Sequence, residues 1–399
     1  MRRRLGFAAA IVLVIALIGG GAYVGYSRWW EHRIRSLRDE CRQAQDASEW
    51  QRMAEIARRW TELQPSEADG WIFLAIALQE QGDLPASASA LNRLPDKHPK
   101  SIPALLELSA LQFGPLNKPL EGVATCERIL AIQPRILEAH RRIIFFHAIG
   151  VQRAKMTSQI YRSIELGCEP REAYVYLMLA EVPVFSNGFE TANHWLQNDP
   201  ESELFLVART VQLAENLAVL RDPTADTRAQ LERAEQILAD YRQRFPLNRA
   251  VLWYFLKNAA RRSDVEEVGK LLATVPSEAG DESLFWRYRG WYHAQREEIA
   301  EAEAAYQNAA ELTPLDSQIW HELADVLRRQ GRLAEADTMQ SVAATGRQLR
   351  LEIQKLKDAA AISDTQLDKV RIYAEACGDQ RVAQSLRRRL GLPLYVGPP

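Results

Sequence analysis

Tryptophans at nearly equal intervals constrain the fold of this chain more than any other feature of its sequence. Trp253, Trp286 and Trp320 follow one another in the C-terminal third with almost the same spacing. The segment 283–316 can be laid over the segment 317–350 so that the last two tryptophans coincide. A repeat this short is one supersecondary unit and cannot bury its own apolar face. The sequence therefore predicts an array of stacked repeats.

The repeated positions hold a bulky residue in a first helix, small residues in both helices, an aromatic residue and a closing proline. Segment 283–316 carries this pattern as Trp286, Gly290, Ala302, Tyr306, Ala309 and Pro314. Segment 317–350 has Trp320, Leu323, Ala324, Leu327, Gly331 and Ala336 but lacks the proline. Segment 68–101 has Trp71, Leu74, Ala75, Leu78, Ala88, Leu91 and Pro99. These residues resemble the tetratricopeptide repeat family.

The resemblance extends over most of residues 34–390, and it is strongest in the three segments just described. The middle of the chain, 169–247, keeps a helical period without the full pattern. The resemblance implies a right-handed superhelix of antiparallel helix pairs. It also implies that the first helix of each pair lines a concave groove, which binds a protein or peptide.

The small residues and the tryptophans have complementary roles in this packing. Gly290 and Ala324 would let two paired helices approach closely. Trp286 and Trp320 are expected to fill the space between neighbouring units, because aromatic side chains bury a large apolar area. Prolines such as Pro314 follow the second helix, where they end one unit and begin the next.

The periodicity predicts an all-α protein. The apolar runs 174–179 and 251–256 could be strands by period alone, but they lie within helical spacing and lack hairpin turns. Both are interpreted as buried first helices. At the C-terminal end, 351–356 and 367–390 read as amphipathic capping helices around a turn at residues 363–364. Ser363 or Asp364 is the expected helix N-cap there.

The first 26 residues predict a membrane-spanning helix. No charged residue occurs from Leu5 to Tyr26, and 22 helical residues rise about 33 Å, enough to cross a bilayer. A cleaved signal peptide is the alternative, with small residues at Gly20 and Ala22 in a plausible spacing. Basic residues lie on both flanks of the span, and the bulk of the chain is expected on the periplasmic face of a bacterial inner membrane.

These features together predict the organisation of the chain. It comprises a basic N-terminus (1–4), a transmembrane helix (5–26), a juxtamembrane helix with a degenerate first repeat (27–67), repeats (68–168), irregular helical repeats (169–247), further repeats (248–350), and C-terminal capping helices with a tail (351–399).

No constellation of residues in the sequence indicates an enzyme, a cofactor or a metal site. Phosphate-binding, dinucleotide-binding, zinc and serine-nucleophile motifs are all missing from the sequence. His140 and His147 are two helical turns apart, about 10 Å, so packing roles are favoured over metal ligation. The formal net charge of -2 disfavours nucleic acid as a partner.

The alignment of the repeats predicts which residues line the groove and contact a partner protein or peptide. They are Ile72, Ile76 and Gln79 in the first strong unit, Arg287, Trp291 and Gln295 in the next, and His321, Asp325 and Arg328 in the last. Their mixture of apolar, amide and charged groups suits a peptide segment. The sequence therefore predicts a non-enzymatic, membrane-anchored scaffold. The alternatives are an exported soluble scaffold and an enzyme subunit with a site hidden in 169–247.

Overall fold

The computed structural model describes residues 29–181, 185 and 187–393, and the ordered elements among them are helices. No strand occurs in these residues, so the predicted all-α class is confirmed. The segment 5–26, predicted to span a membrane, lies outside the described residues. Within the described part of the chain, no helix is both long and apolar enough to cross a bilayer.

The chain divides into two compact units, and the first ends at Leu116. Its described helices are α1 (29–46), α2 (Trp50–Leu63), α3 (Ala68–Glu80), α4 (Leu84–Asn92) and α5 (Ser101–Phe113). Their connections are short, so successive helices pack as antiparallel neighbours. The buried side of α2 presents Met53, Ile56, Ala57 and Trp60 to the rest of this unit.

The second unit begins at Asn117 and contains the remaining helices. They are α6 (Pro119–Ile132), α7 (Leu137–Ile149), α8 (Arg153–Leu166), α9 (Ala173–Met178), α10 (Gly188–Trp195), α11 (Glu203–Ala218), α12 (Ala225–Arg244), α13 (Arg249–Arg261), α14 (Val265–Thr274), α15 (Ser283–Gln295), α16 (Ile299–Leu312), α17 (Ser317–Arg329), α18 (Leu333–Ile353), α19 (Asp364–Ala376) and α20 (Gln380–Arg389). Short 3-10 helices occupy Ser277–Asp281 and Ala359–Ala361. The apolar run 251–256 lies in α13, and the run 174–179 lies in α9 except for its last residue, as the helical interpretation predicted.

One hydrogen bond recurs at the start of the first helix in several repeats and fixes their register. An aromatic N–H donates to the backbone carbonyl six residues earlier, from Trp71 to Pro65 (2.9 Å), from Trp286 to Gly280 (2.9 Å) and from Trp320 to Pro314 (2.6 Å). In α7 the Nε2 of His140 makes the same contact with Pro134 at 2.8 Å. His140 therefore occupies the tryptophan position of its repeat, consistent with the packing role expected for it.

Trp286 and Trp320 are less buried than expected, whereas Trp253 is buried. Trp286 and Trp320 are both half-buried, since the ring edge that carries the N–H lies beside the preceding turn. Trp320 nevertheless packs against two separate core clusters, one centred on α16 and α17 and one that includes α19 and α20. It therefore joins two parts of the second unit.

Replacing Trp320 with alanine should lower the free energy of unfolding by about 2–3 kcal/mol, because a large side chain and one hydrogen bond are lost. Trp320→Phe should cost about 1 kcal/mol, because most of the packing survives. Urea titration followed by far-UV circular dichroism measures both values. An alanine variant as stable as the native protein would show that Trp320 does not join the two clusters.

Gly290 provides the close approach that the repeat pattern requires. A Cβ atom at this position would lie 2.7 Å from the ring of Tyr306 on the paired helix α16. Tyr306 is itself buried. The predicted role of Gly290 as a contact point between paired helices is thus confirmed.

The C-terminal helices do more than cap α18. The buried side chains of α19 and α20 share one core with α8 and α9, so the end of the second unit packs onto its own earlier helices. The Tyr161 hydroxyl donates to Asp379 at 2.7 Å, and the Ser385 hydroxyl donates to Glu169 at 2.9 Å. Ser363 caps α19 as predicted. The predicted helix at 351–356 is wrong, because its first residues end α18 and the rest form a turn.

Candidate functional site

In the first unit, the predicted groove residues lie on one face of α3. Ile72 and Ile76 are one turn apart and both are half-buried, and Gln79 follows on the same face. The Gln79 amide donates to the Glu107 carboxylate of α5 at 3.2 Å. Asp69, at the start of α3, pairs with Lys100 at 2.6 Å. Polar contacts near both ends of α3 therefore join it to α5.

The α1 helix joins the same surface. The Arg38 guanidinium of α1 lies 3.2 Å from the Asp69 carboxylate. Asp69 thus receives cations from both neighbouring helices, which explains how a carboxylate can be buried there. The first helices α1, α3 and α5 form a continuous face, and Ile72, Ile76 and Gln79 lie on its middle helix. We call this surface the α3 face.

On α15, the three predicted groove residues differ in their exposure to solvent. Gln295 is exposed and Trp291 is half-buried. Arg287 was expected to face a partner, but its side chain is 14% exposed and its guanidinium pairs with Glu322 of α17 at 3.0 Å. A second hydrogen bond, from Arg287 Nε to Glu322, makes the pair bidentate. The expectation that Arg287 is exposed is wrong, because it fixes the contact between two successive first helices.

On α17, the predicted residues lie together. The Arg328 guanidinium donates to Asp325 at 2.6 Å, and both side chains are exposed. Gln340 of α18 is within 3.1 Å of the His321 Nδ1 and 3.4 Å of Arg328. These four residues form a polar surface cluster that spans the two helices of one repeat.

An ionic network buried in the second unit was not foreseen. Arg153, at the start of α8, is 5% exposed and lies 3.5 Å from Glu282, which is also buried. Its guanidinium also donates to the backbone carbonyl of Glu181 at 3.1 Å and stacks over Trp253 at 5.3 Å. The Glu181 carboxylate in turn accepts from Arg350 of α18 at 2.5 Å. These charges hold α8 and the residues after α9 against α15 and α18.

Asp316 lies at the edge of this network and caps α17. Its carboxylate accepts from the Gln318 backbone N–H at 2.9 Å. Burial, reinforced by the nearby Glu181 carboxylate, raises the pKa of Asp316 to about 7. The native protein therefore keeps a proton on Asp316 at a pH where the unfolded chain has already released it.

The free energy of unfolding should consequently fall as pH rises from about 4 to about 7, and the contribution of Asp316 should be constant above that range. Asp316→Asn keeps the N-cap acceptor but carries no charge. The variant should be more stable than the native protein by about 1–3 kcal/mol at pH 8, and the difference should shrink toward pH 4. Urea titration at a series of pH values measures this difference.

Asp264→Asn is the matched control, because Asp264 caps α14 in the same way, with a 3.0 Å bond from the Glu267 N–H, but is exposed. An Asp316→Asn effect that stays equal at every pH would contradict the protonated state.

Among the described residues, the histidines and cysteines do not form a recognisable catalytic or metal-binding arrangement. Burial lowers the pKa of His147 to about 4, and its Nδ1 is 2.7 Å from Gln152. Burial also raises the pKa of Cys41 and Cys377 to about 12, so neither thiol is readily ionised. In the described part of the chain, no group of three histidine, cysteine or carboxylate side chains could hold a metal ion.

A family model described as the tetratricopeptide repeat matches residues 305–338. This segment spans the second half of α16, all of α17 and the first residues of α18, and it contains the Trp320–Pro314 contact and Tyr306, the packing partner of Gly290. The chain therefore contains a tetratricopeptide repeat. The matched segment contains His321, Asp325 and Arg328, three of the four residues of the polar surface cluster, while Gln340 lies just beyond it.

The chain is also similar to several solved structures. The Cut9–Hcn1 hetero-tetramer of APC/C is 11% identical, with 90% of this chain and 78% of that chain covered and a TM-score of 0.32. A tetratricopeptide repeat protein from Parabacteroides merdae is 12% identical over 74% of this chain and 99% of its own, with a TM-score of 0.27. Yeast Tom70 is 14% identical over 90% and 81%, with a TM-score of 0.28. No curated protein matches the sequence.

Proposed function

We propose that this tetratricopeptide-repeat protein is a membrane-anchored scaffold that binds a partner protein through the α3 face. The α3 face supports this most directly, because Ile72 and Ile76 leave apolar surface exposed beside the polar bridge from Gln79 to Glu107. An apolar stripe bordered by amide and carboxylate groups suits an extended or helical segment of another protein.

The predicted groove residues of the second unit are less suited to binding a partner. Arg287 is engaged with Glu322 inside the unit, so it is not available to a partner. The polar cluster of His321, Asp325 and Arg328 on α17 is exposed, but its groups already satisfy one another. Such a surface contributes less to binding than apolar area that becomes buried.

The anchor rests on the uncharged segment from Leu5 to Tyr26, which is long enough for a single span with the repeats on the periplasmic side. Membrane fractionation of the full-length protein should recover it in the pellet after alkaline washing. A variant that begins at Ser27 should stay soluble. A mature protein whose first residue lies beyond Ala22 would instead show signal cleavage and an exported soluble scaffold.

Partner binding is tested by cross-linking in intact cells, followed by mild detergent extraction and identification of the proteins retained by a C-terminal tag. The double variant Ile72→Ser, Ile76→Ser should lose a dominant partner that the native protein retains. Leu333→Ser is the control, because Leu333 is 61% exposed on α18, away from the α3 face along the chain. A partner retained equally by the double variant, with its circular dichroism unchanged, would refute binding through the α3 face.

A further inference from the structure

A cavity in the second unit is lined by aromatic and acidic side chains. Its volume is about 830 Å³, and helices α7, α9 and α11 surround it together with the turn after α18. A volume of this size is typical of sites that enclose a small organic group. Phe145, Tyr176 and Phe185 contribute aromatic rings to its lining.

The aromatic rings are held in fixed relative positions. The rings of Tyr176 and Phe185 are 5.1 Å apart at 75°, and Phe145 meets Trp195 edge-on at 6.4 Å. Burial raises the pKa of Tyr176 to about 12, so its ring remains a neutral phenol. Aromatic faces with this degree of order attract cations through the electron density above the ring.

Two buried carboxylates complete the wall. Glu172 is 7% exposed, and its Oε1 accepts from Arg141 at 2.6 Å. Its Oε2 has no hydrogen-bond partner among the described residues, which is costly for a buried carboxylate oxygen. Glu215 is 3% exposed and pairs with Lys257. Arg141 and Lys257 both lie outside the residues that line the cavity.

The unpartnered Oε2 of Glu172 is an acceptor, so the lining favours a cationic donor over an anion although Arg141 and Lys257 already pair with the two carboxylates. The buried charged groups of the lining, Glu172 and Glu215, are both acidic. The lining also includes Lys357 and Asp358, which are exposed neighbours of opposite charge. A metal ion is disfavoured, because no set of three suitable ligands converges anywhere in the described residues.

We propose that this cavity binds an organic cation, an alkylguanidinium or alkylammonium group, with Glu172 as its hydrogen-bond acceptor and the aromatic rings around its apolar stem. Such a group supplies the donor that the Glu172 Oε2 lacks. It also places a positive charge against the rings of Phe145 and Tyr176. This proposal does not depend on the α3 face or on the membrane anchor.

The source of the cation is either a basic side chain of another protein or a free amine, and two probes separate them. The tripeptide acetyl-Ala-Arg-Ala-amide represents the side chain, and agmatine represents the free amine. Acetyl-Ala-citrulline-Ala-amide has nearly the same shape as the arginine peptide but no charge. Binding to the full-length protein in mild detergent is measured by titration calorimetry.

At least one cationic probe should bind, and the citrulline peptide should bind about tenfold more weakly or not at all. Binding of the arginine peptide identifies a protein side chain as an acceptable ligand. Binding of agmatine alone identifies a free amine. Equal binding of the citrulline peptide and the arginine peptide, or no binding of either cation, would overturn the proposal.

Two variants locate the binding at the cavity. Glu172→Gln should weaken the cationic probe about tenfold or more, because the acceptor loses its charge. Glu138→Gln is its matched control, since Glu138 also pairs with Arg141, at 2.9 Å, but is not part of the lining. The control should bind the probe as the native protein does.

The second variant changes an exposed residue of the lining and leaves the buried residues unchanged. Val219 lines the cavity and is 73% exposed, so Val219→Lys adds a positive charge there with little risk to folding. It should weaken the cationic probe several-fold through repulsion, and added salt should reduce the effect. Leu220→Lys places the same charge one residue further on, outside the lining, and should have less effect. Unchanged binding in both Glu172→Gln and Val219→Lys would place the cation elsewhere and refute the site.

Discussion

Replacing Gly346 with alanine should lower the free energy of unfolding by about 3 kcal/mol, although alanine is the better helix former. Gly346 lies in α18, where the chain passes between α17 and α19. A Cβ atom there would be 2.7 Å from the Cβ of Ser317 and closer still to the hydroxyl of Tyr373. Tyr373 is completely buried, so its ring has no free space into which it could move.

Urea titration with far-UV circular dichroism measures this loss, and Gly280→Ala is the control. A Cβ at Gly280 would meet no atom within 4 Å, and the residue does not have a positive φ. The control should therefore be as stable as the native protein. A Gly346→Ala variant that matches Gly280→Ala would mean that Tyr373 and Ser317 can separate without cost, and that the contact between α18 and α19 is loose.

Gly346 and Gly290 show what the repeat pattern can and cannot predict. Gly290 falls at a position that the next unit fills with another small residue, so comparing the two units indicated a close contact there. Gly346 meets Tyr373, which belongs to a helix beyond the last recognisable unit. Periodicity describes the contacts between neighbouring units, because those contacts repeat. A contact made once in the chain has no counterpart to be compared with.

The same limit applies to the candidate site. The frame placed Ile72, Ile76 and Gln79 correctly on one face of a first helix, since that assignment needs only the helical period. It also placed Arg287 on the corresponding face of α15. The frame could not show that Glu322 of the next unit would neutralise this arginine.

The cavity and the ionic network were beyond prediction for a related reason. Glu181 and Arg350 are joined by a 2.5 Å contact although they lie far apart in the sequence. Glu172 lines the cavity because α9 packs near the turn after α18. Both arise from the return of the C-terminal helices onto α8 and α9, which no local pattern encodes.

Arg153→Met should lower the free energy of unfolding by about 3–5 kcal/mol, because it leaves the buried Glu282 carboxylate without its cation. Methionine retains much of the apolar stem, so the loss reflects charge more than volume. The variant also loses the hydrogen bond to the Glu181 carbonyl and the stacking over Trp253. Urea titration near neutral pH gives the size of the effect.

The pH dependence of that loss separates electrostatics from packing. Burial already raises the pKa of Glu282, even with Arg153 beside it. Without the cation, Glu282 in the folded Arg153→Met variant should take up a proton at a higher pH than Glu282 in the folded native protein. The instability of Arg153→Met should therefore be smaller at pH 5 than at pH 8. A destabilisation that is the same at both pH values would point to lost packing against Trp253 instead.

The double variant Arg153→Met, Glu282→Gln tests whether the buried pair stabilises the fold or only avoids a penalty. Removing both charges leaves no uncompensated ion, so the double variant should regain more than half of the stability lost in Arg153→Met. Such a recovery would mean that the pair adds little net stability, and that its role is to select which helices meet at the start of α8. A double variant as unstable as Arg153→Met would mean instead that the contacts of Arg153 with Glu181 and Trp253 hold these helices together.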